Sequence, residues 1–387
     1  MPDFDVVVVG LGAMGSAAAY QLARRGQRVL GVEAFAEGHT FGSSHGETRI
    51  IRMAYFEHPN YVPLLRRAYE LWEETQQAAR ARLLHLTGGL FIGPPDEDLV
   101  RGSLESARQH NLPYELLDAN EIRRRFPILQ ARGNEMALYE ERAGVLFPEK
   151  CIDAHLRLAR EIGAVMHHSE PATAWSSDAD GVSVQTGQAR YTAGKLVLTA
   201  GAWLSKLVHE LAGVLQPERI PLFWFSPRAN AEQFDLGRMP IWIWHDAALG
   251  DFFTTPHVEW PGVKIGKHHT LLNCDPDSVD RAVSPRDEAP VRAFLERCVP
   301  DLAGSIADSR VCMYTNTPDQ HFVIDVHPRY SNVVYAGGFS GHGFKFASVV
   351  GEILADLAMT GRATPHADFL RSPRLLSGPE TAAAASR

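Results

Sequence analysis

A chain of 387 residues is too long for one simple core and implies two domains of ordinary size. Its 45% hydrophobic and 22% charged content matches a soluble globular protein, and a net charge of −8 argues against nucleic acid or an anionic membrane as the main partner. Any cation-rich patch is therefore local and a candidate for function.

The amino terminus, "DFDVVVVGLGAMGSAAAYQLARRGQRVLGVE", opens on the apolar run Val6 to Val9, as expected of a strand buried on both faces. No basic region followed by an apolar export segment precedes it, and no run approaches membrane-spanning length, so a cytoplasmic protein is expected. Gly10, Gly12 and Gly15 follow, then a helix whose Ala17, Ala18 and Ala19 permit close approach to a sheet. Gly26 ends that helix, and Val29 to Glu33 forms the next strand. The pattern is a βαβ unit with a dinucleotide fingerprint. Gly10 permits the tight turn, Gly12 lets a pyrophosphate approach the backbone, and Gly15 lets helix and strand touch. A pyrophosphate there meets free N–H groups and the positive end of the helix dipole. Glu33 ends the second strand, where an acid binds ribose hydroxyls. A tight turn beside a solvated glutamate is the plainer explanation, but too many elements of the fingerprint coincide for it.

Further along, a helix is predicted over 63–80, a strand-like segment over 83–93, and helices over 96–110 and 148–163. From 164 to 193, short β runs alternate with Asp/Ser/Gly turns, as in a meander. "KLVLTAGAW" is another buried strand ending in small residues. "RIPLFWFSP", "MPIWIWHD", "DFFTTPHV" and "GVKIGKHH" then predict a separate antiparallel sheet rich in aromatic residues, interrupted by a helix over 287–298. Trp224, Trp242 and Trp244 are expected mostly to pack this sheet. Residues 331–361 return to strand, glycine turn and helix, and the tail 377–387 has few large apolar groups. The cysteines Cys151, Cys274, Cys298 and Cys312 show no CxxC pair or zinc spacing. The pairs His167-His168 and His268-His269 lack acidic or thiol neighbours at ligand spacing, so no metal is expected.

Four blocks carry a family resemblance: "GSSHGETRIIR" (42–52), "GVKIGKH" (262–268), "VCMYTNTPDQHFVID" (311–325) and "GFSGHGFKFAS" (338–348). With the glycine turn they resemble the monomeric sarcosine oxidase and N-methyltryptophan oxidase group of the D-amino-acid oxidase superfamily. The resemblance implies an α/β fold, with an FAD-binding Rossmann-like domain of the glutathione-reductase type interleaved with an α+β substrate domain built on an antiparallel sheet. The expected segments are 1–85, 144–216 and 310–376 for the FAD domain, and 86–143 and 217–309 for the substrate domain. It implies FAD attached covalently through Cys312, with the other three cysteines inert.

By the same resemblance, Gly10, Gly12, Ala13, Met14, Gly15, Glu33, Ala34, Ser43, Ser44, His45, Thr48, Gly201, Trp203, Gly338, Gly341, His342, Gly343 and Lys345 contact the cofactor. Gly341 and Gly343 are expected to bring backbone N–H groups to the flavin's pyrimidine end, helped by the dipole of a helix from about Phe344. Lys345 and Arg52 are expected to bind a substrate carboxylate, a task suited to the planar guanidinium fork. Arg49 is expected nearer the flavin, on one face with Arg52 if the stretch is helical. Lys264 is expected beside the flavin, stabilising charge as oxygen is reduced, with His268 in the substrate pocket. Phe253 stands where relatives carry tyrosine, a departure that predicts a more apolar pocket.

The activity implied is an FAD-dependent oxidase of N-methyl amino acids, yielding an imine and hydrogen peroxide, with an amino acid substrate and molecular oxygen as partners and a monomer as the expected state. N-methyltryptophan, cyclic amino acids such as proline or pipecolate, and glycated amino acids stay open as substrates. From other classes, an NAD-dependent dehydrogenase and a flavin-containing binding or sensor protein remain as rivals.

Overall fold

The computed structural model describes residues 2–376, so the tail expected at 377–387 lies outside the described residues. Phe4–Val9 is the centre of an eight-stranded sheet, parallel to Val29–Val32 on one side and to Arg190–Leu198 on the other. Its valines are buried on both faces, which is why the strand reads as a continuous apolar run. The meander strands Ala172–Ser177 and Val182–Thr186 extend the sheet at one end, and Val165–His167 closes the other. Tyr330–Gly337 joins parallel to Arg190–Leu198, so the last third of the chain returns to the first sheet.

Helices Ala13–Ala23, Tyr61–Ala79, Pro148–Glu161 and Ala347–Thr360 cover this sheet and share one apolar core. The small residues of the first helix serve a neighbouring helix as well as the sheet. A Cβ added at Gly351 would lie 2.6 Å from the carbonyl carbon of Ala17. The second helix starts at Tyr61, two residues ahead of expectation, because Pro63 sits in a first turn that needs no N–H from it.

The aromatic strands build a second eight-stranded sheet in the order Ile306–Asn316, Gln216–Phe225, Val263–His268, Gly250–Thr254, Ile241–Asp246, Gly89–Gly93, Met136–Glu140, Glu115–Asp118. All neighbours are antiparallel except Ile241–Asp246 and Gly89–Gly93, which run parallel. Helix Pro285–Cys298 packs Phe294 against Trp242, Trp244 and Phe252, the last at 4.2 Å between ring centres. Trp224, Trp242 and Trp244 are fully buried. Ile306–Asn316 pairs with Gln216–Phe225 along its whole length, so position 310, expected as a domain boundary, falls inside a strand of the second sheet.

One local expectation is corrected. The segment Arg49–Ile51 is not helical but a strand, paired antiparallel with Gly144–Leu146. Its β-branched Ile50 and Ile51 suit a ladder, and strand alternation removes the shared face proposed for Arg49 and Arg52.

Candidate active site

A cavity of about 930 Å³ opens where the first sheet's strand ends meet the face of the second sheet. That is the upper end of the range for small-molecule and cofactor pockets. Of the residues expected to form the site, all line it except Gly15 and His45.

At the glycine turn, Gly10 adopts φ +88, and a Cβ there would lie 2.6 Å from the Thr199 carbonyl oxygen. A Cβ at Gly15 would fall 1.7 Å from the Gly10 oxygen, so Gly15 is absent from the cavity because it is the contact between turn and helix. A Cβ at Gly12 would meet only Ser44 Oγ, at 3.8 Å, and would otherwise occupy open cavity. The Glu33 carboxylate accepts the Leu11 N–H at 2.8 Å and the Phe35 N–H at 3.2 Å, so it organises the turn while facing the cavity. Trp203 gives its indole N–H to Asp277 at 2.6 Å. The open path over Gly12, the N-terminus of Ala13–Ala23 and the buried acid fit a dinucleotide.

The second glycine turn is fixed by packing, and Gly341 and Gly343 both line the cavity. A Cβ at Gly341 would lie 2.4 Å from the Tyr314 ring, and one at Gly343 would lie 2.4 Å from Phe339 Cβ. Protein packing already excludes side chains at both positions. The His342 ring is engaged at both nitrogens, by the Tyr55 hydroxyl at 2.5 Å and the Gln320 carbonyl at 2.9 Å. The helix expected from Phe344 begins as a 3-10 turn and becomes α-helical at Ala347.

Beside the cavity wall of the second sheet, Lys264 is buried on an interior strand and donates to the carbonyls of Gly46 at 2.7 Å and Thr48 at 2.6 Å. Burial and then the Arg49 charge hold its ammonium well below the usual lysine pKa, against Glu149, Cys312 and Glu47. Arg49 donates to the carbonyls of Thr48, Ser43 and His45, and its guanidinium lies 3.8 Å from Cys312 Sγ. His45 is buried with both ring nitrogens unpartnered, and burial, followed by Arg49 and Lys264, pushes it down to about 3. His268 shares a hydrogen bond with the Tyr314 hydroxyl at 3.2 Å and is held down to about 3, mainly by burial, so its imidazole is neutral. The Phe253 ring lies against Gly266, in an apolar cluster with Leu222 and Cys312.

The two cations expected to hold a carboxylate sit close to an acid that sequence reading missed. Arg52 is 1% exposed and gives both hydrogen bonds of one Nη to the Glu57 carboxylate, at 2.7 and 2.6 Å. Its guanidinium lies over Tyr55 and Phe56, 4.1 and 4.5 Å from their ring centres. Burial alone would push Glu57 up, but Arg52, His342 and Lys345 hold it down to about 2. Lys345 donates to the His342 carbonyl at 2.6 Å and is lowered to about 7 by burial and Arg52, with Glu57 opposing. Tyr55, Glu57 and Glu149 lie outside the motif blocks, and Tyr314 lies within one without a role assigned to it. An acid five residues after an arginine reads as a surface pair until burial is known.

Among the described residues no helix is long and apolar enough to cross a membrane, and all four cysteines are free. A model of the FAD dependent oxidoreductase family, DAO, matches residues 5–357. The chain is 47% identical to monomeric sarcosine oxidase of Streptomyces avermitilis, over 97% of this chain and 98% of that one. It is 36% identical to N-methyl-L-tryptophan oxidase of Salmonella arizonae, over 95% and 97% respectively. Among solved structures it matches an open form of NikD, an unusual amino acid oxidase essential for nikkomycin biosynthesis. The TM-score is 0.84 and the identity 25%, covering 95% of this chain and 97% of that one.

Proposed function

The chain belongs to the DAO family of FAD-dependent oxidoreductases, and from that premise we propose that it is an oxidase of N-methyl amino acids, converting a sarcosine-like substrate to the primary amino acid, formaldehyde and hydrogen peroxide. FAD, when bound, supplies the two-electron acceptor for amine oxidation and the donor to oxygen. The observation that carries the proposal is the grouping of Lys264, Arg49 and Cys312 on one wall of the cavity that also holds Lys345 and Arg52. Family membership removes the NAD-dependent dehydrogenase as a rival.

The glycine turn and the helix Ala13–Ala23 would hold the pyrophosphate of FAD, and Glu33 would be available to its ribose. Lys345, with Arg52, receives the substrate carboxylate and so fixes the amine in one orientation, which replaces a random encounter by a directed one. Neutral His268 is tied at Nδ1 to Tyr314 and leaves Nε2 for the substrate. Buried Lys264, held by the Gly46 and Thr48 carbonyls, would supply positive charge to an anion formed from oxygen without moving a proton. Cys312 is the attachment point of the flavin, supported by its position on the cavity wall beside Arg49. The protein is a monomer of the cytoplasm in this proposal, with the interleaved domains expected from sequence, the second sheet being the substrate side.

A second substrate class is favoured by one feature. Phe253, Ile243 and Phe56 line the cavity, where an apolar surface accommodates an amino acid larger than sarcosine. A peroxide-coupled screen of N-methyl, cyclic and glycated amino acids tests the proposal, and absence of peroxide with every secondary amine would reject it. Lys264→Met is expected to slow reoxidation by oxygen about 100-fold or more while leaving anaerobic reduction by substrate nearly intact. Equal losses in both half-reactions would remove Lys264 from its assigned role.

A further inference from the structure

Lys264 is held by two backbone carbonyls, and the turn that presents them is itself held by a carboxylate with no role so far. Gly46 and Glu47 are consecutive left-handed residues, at φ +94 and +70. Glu47 carries a side chain in a conformation that disfavours one, so the turn needs an outside partner. That partner is Glu149, whose Oε1 accepts the N–H of Gly46 at 2.7 Å and of Glu47 at 3.1 Å. Two successive N–H groups converging on one anion form a small nest. On its other side the turn offers the Gly46 and Thr48 carbonyls to Lys264 Nζ.

The Gly46 carbonyl and the Glu47 N–H belong to one planar peptide and point in opposite directions. Carboxylate, peptide and ammonium therefore form a chain in which each hydrogen bond polarises the next. We propose that Glu149 is a positioning residue for Lys264, acting through the Gly46–Glu47 peptide to aim the ammonium and to keep it cationic. The inference rests on the oxygen-reactive role given to Lys264 above.

A plainer role for Glu149 is as an acid in the first turn of Pro148–Glu161, complementing the helix dipole. Its carboxylate reaches across to another segment, however, and the N-cap Phe147 gives its N–H to the Leu83 carbonyl. The groups acting electrostatically on Lys264 are few. Arg49 opposes its charge, Glu149 and Glu47 support it, the Cys312 sulfur carries no charge once bonded to flavin, and His45 is neutral beside it. Of these, Glu47 spends its carboxylate on the Trp260 N–H at 2.5 Å and the Trp224 indole at 3.2 Å. Of the two acids, Glu149 is the one whose carboxylate takes the N–H groups of the turn, while Arg49 holds the Thr48 carbonyl from the other side.

The test compares Glu149→Ala, Glu149→Gln and Lys264→Met as holoproteins. Stopped-flow traces give anaerobic reduction by substrate and reoxidation by oxygen across pH, and NMR of ¹³C-labelled lysine follows Lys264 titration. Glu149→Ala is expected to slow reoxidation about 10- to 100-fold with reduction within about twofold. Glu149→Gln keeps an oxygen for the two N–H groups but loses the charge. It should retain the turn and move both the high-pH limb of reoxidation and the Lys264 titration to lower pH. Unaltered reoxidation and titration in Glu149→Gln overturns the inference, including where Glu149→Ala does not fold, as does an equal loss in both half-reactions. Should Lys264→Met leave reoxidation untouched, the role of Lys264 itself fails. Should it slow reoxidation while the Glu149 variants do not, only the inference fails.

Discussion

Arg52 and Lys345 are both buried cations, yet only Arg52 has a carboxylate of its own. Glu57 neutralises it in a bidentate pair, while Lys345 is left with a carbonyl and the Tyr55 hydroxyl. The desolvated ammonium is lowered to about 7, so its proton is lost as pH rises through that value. Affinity for a carboxylate ligand is therefore expected to be full below about pH 7 and to weaken above it. A bound anion favours the charged form, so binding above that pH takes up a proton, measurable by calorimetry in buffers of different ionisation enthalpy. Glu57→Gln removes the anion that supports Lys345 and should move the loss of affinity to lower pH. It also leaves Arg52 unpaired in the interior, with an expected destabilisation of about 3–5 kcal/mol in urea unfolding. A pH-independent affinity would contradict the burial argument. Both cations were legible through their motif blocks, whereas Glu57 was not, because what makes it important is the absence of water around it.

At the scale of elements, the two outer functions of the glycine turn separate cleanly. A side chain at Gly15 meets the Gly10 carbonyl oxygen at 1.7 Å, so Gly15→Ala must displace helix Ala13–Ala23 from strand Phe4–Val9. A side chain at Gly12 enters open cavity. In a Cys312→Ser background freed of flavin, Gly15→Ala is expected to lower the melting temperature, whereas Gly12→Val should leave that temperature unchanged and weaken rebinding of FAD. Similar melting losses in both variants would refute the division of labour. The βαβ unit could be read in advance because its pattern lies within some thirty contiguous residues. The strand at Arg49–Ile51 could not, since its ladder partner Gly144–Leu146 lies far along the chain and three residues carry too little periodicity.

Across the whole molecule, the cavity is walled by segments from the first strand to Lys345, so a ligand there ties both sheets together. Folding and cofactor binding are then linked, and a dissociable ligand raises the melting temperature with the logarithm of its free concentration. Cys312 stands on a strand of the second sheet, opposite Ile220, while the glycine turn belongs to the first. Cys312→Ser is expected to release all flavin on denaturation and to show a melting temperature that rises with added FAD. The unsubstituted protein should keep one FAD mass after denaturation and show no such rise. Release of flavin from the unsubstituted protein would reject covalent attachment.

What the chain alone determined is local. Gly10 marks a turn because its left-handed backbone suits glycine, the run Val6 to Val9 marks a strand covered on both faces, and the motif blocks single out Lys264, Arg52, Lys345 and Cys312, which line one cavity. Tertiary structure decided the partners: Glu57 on Arg52, Glu149 behind Lys264, Tyr314 against Gly341, and the parallel pairing of Ile241–Asp246 with Gly89–Gly93. Steric limits on a residue's own backbone travel with the sequence. Desolvation and charge pairing depend on which distant segments fold over a group and exclude water from it, and those exist only once the chain has packed.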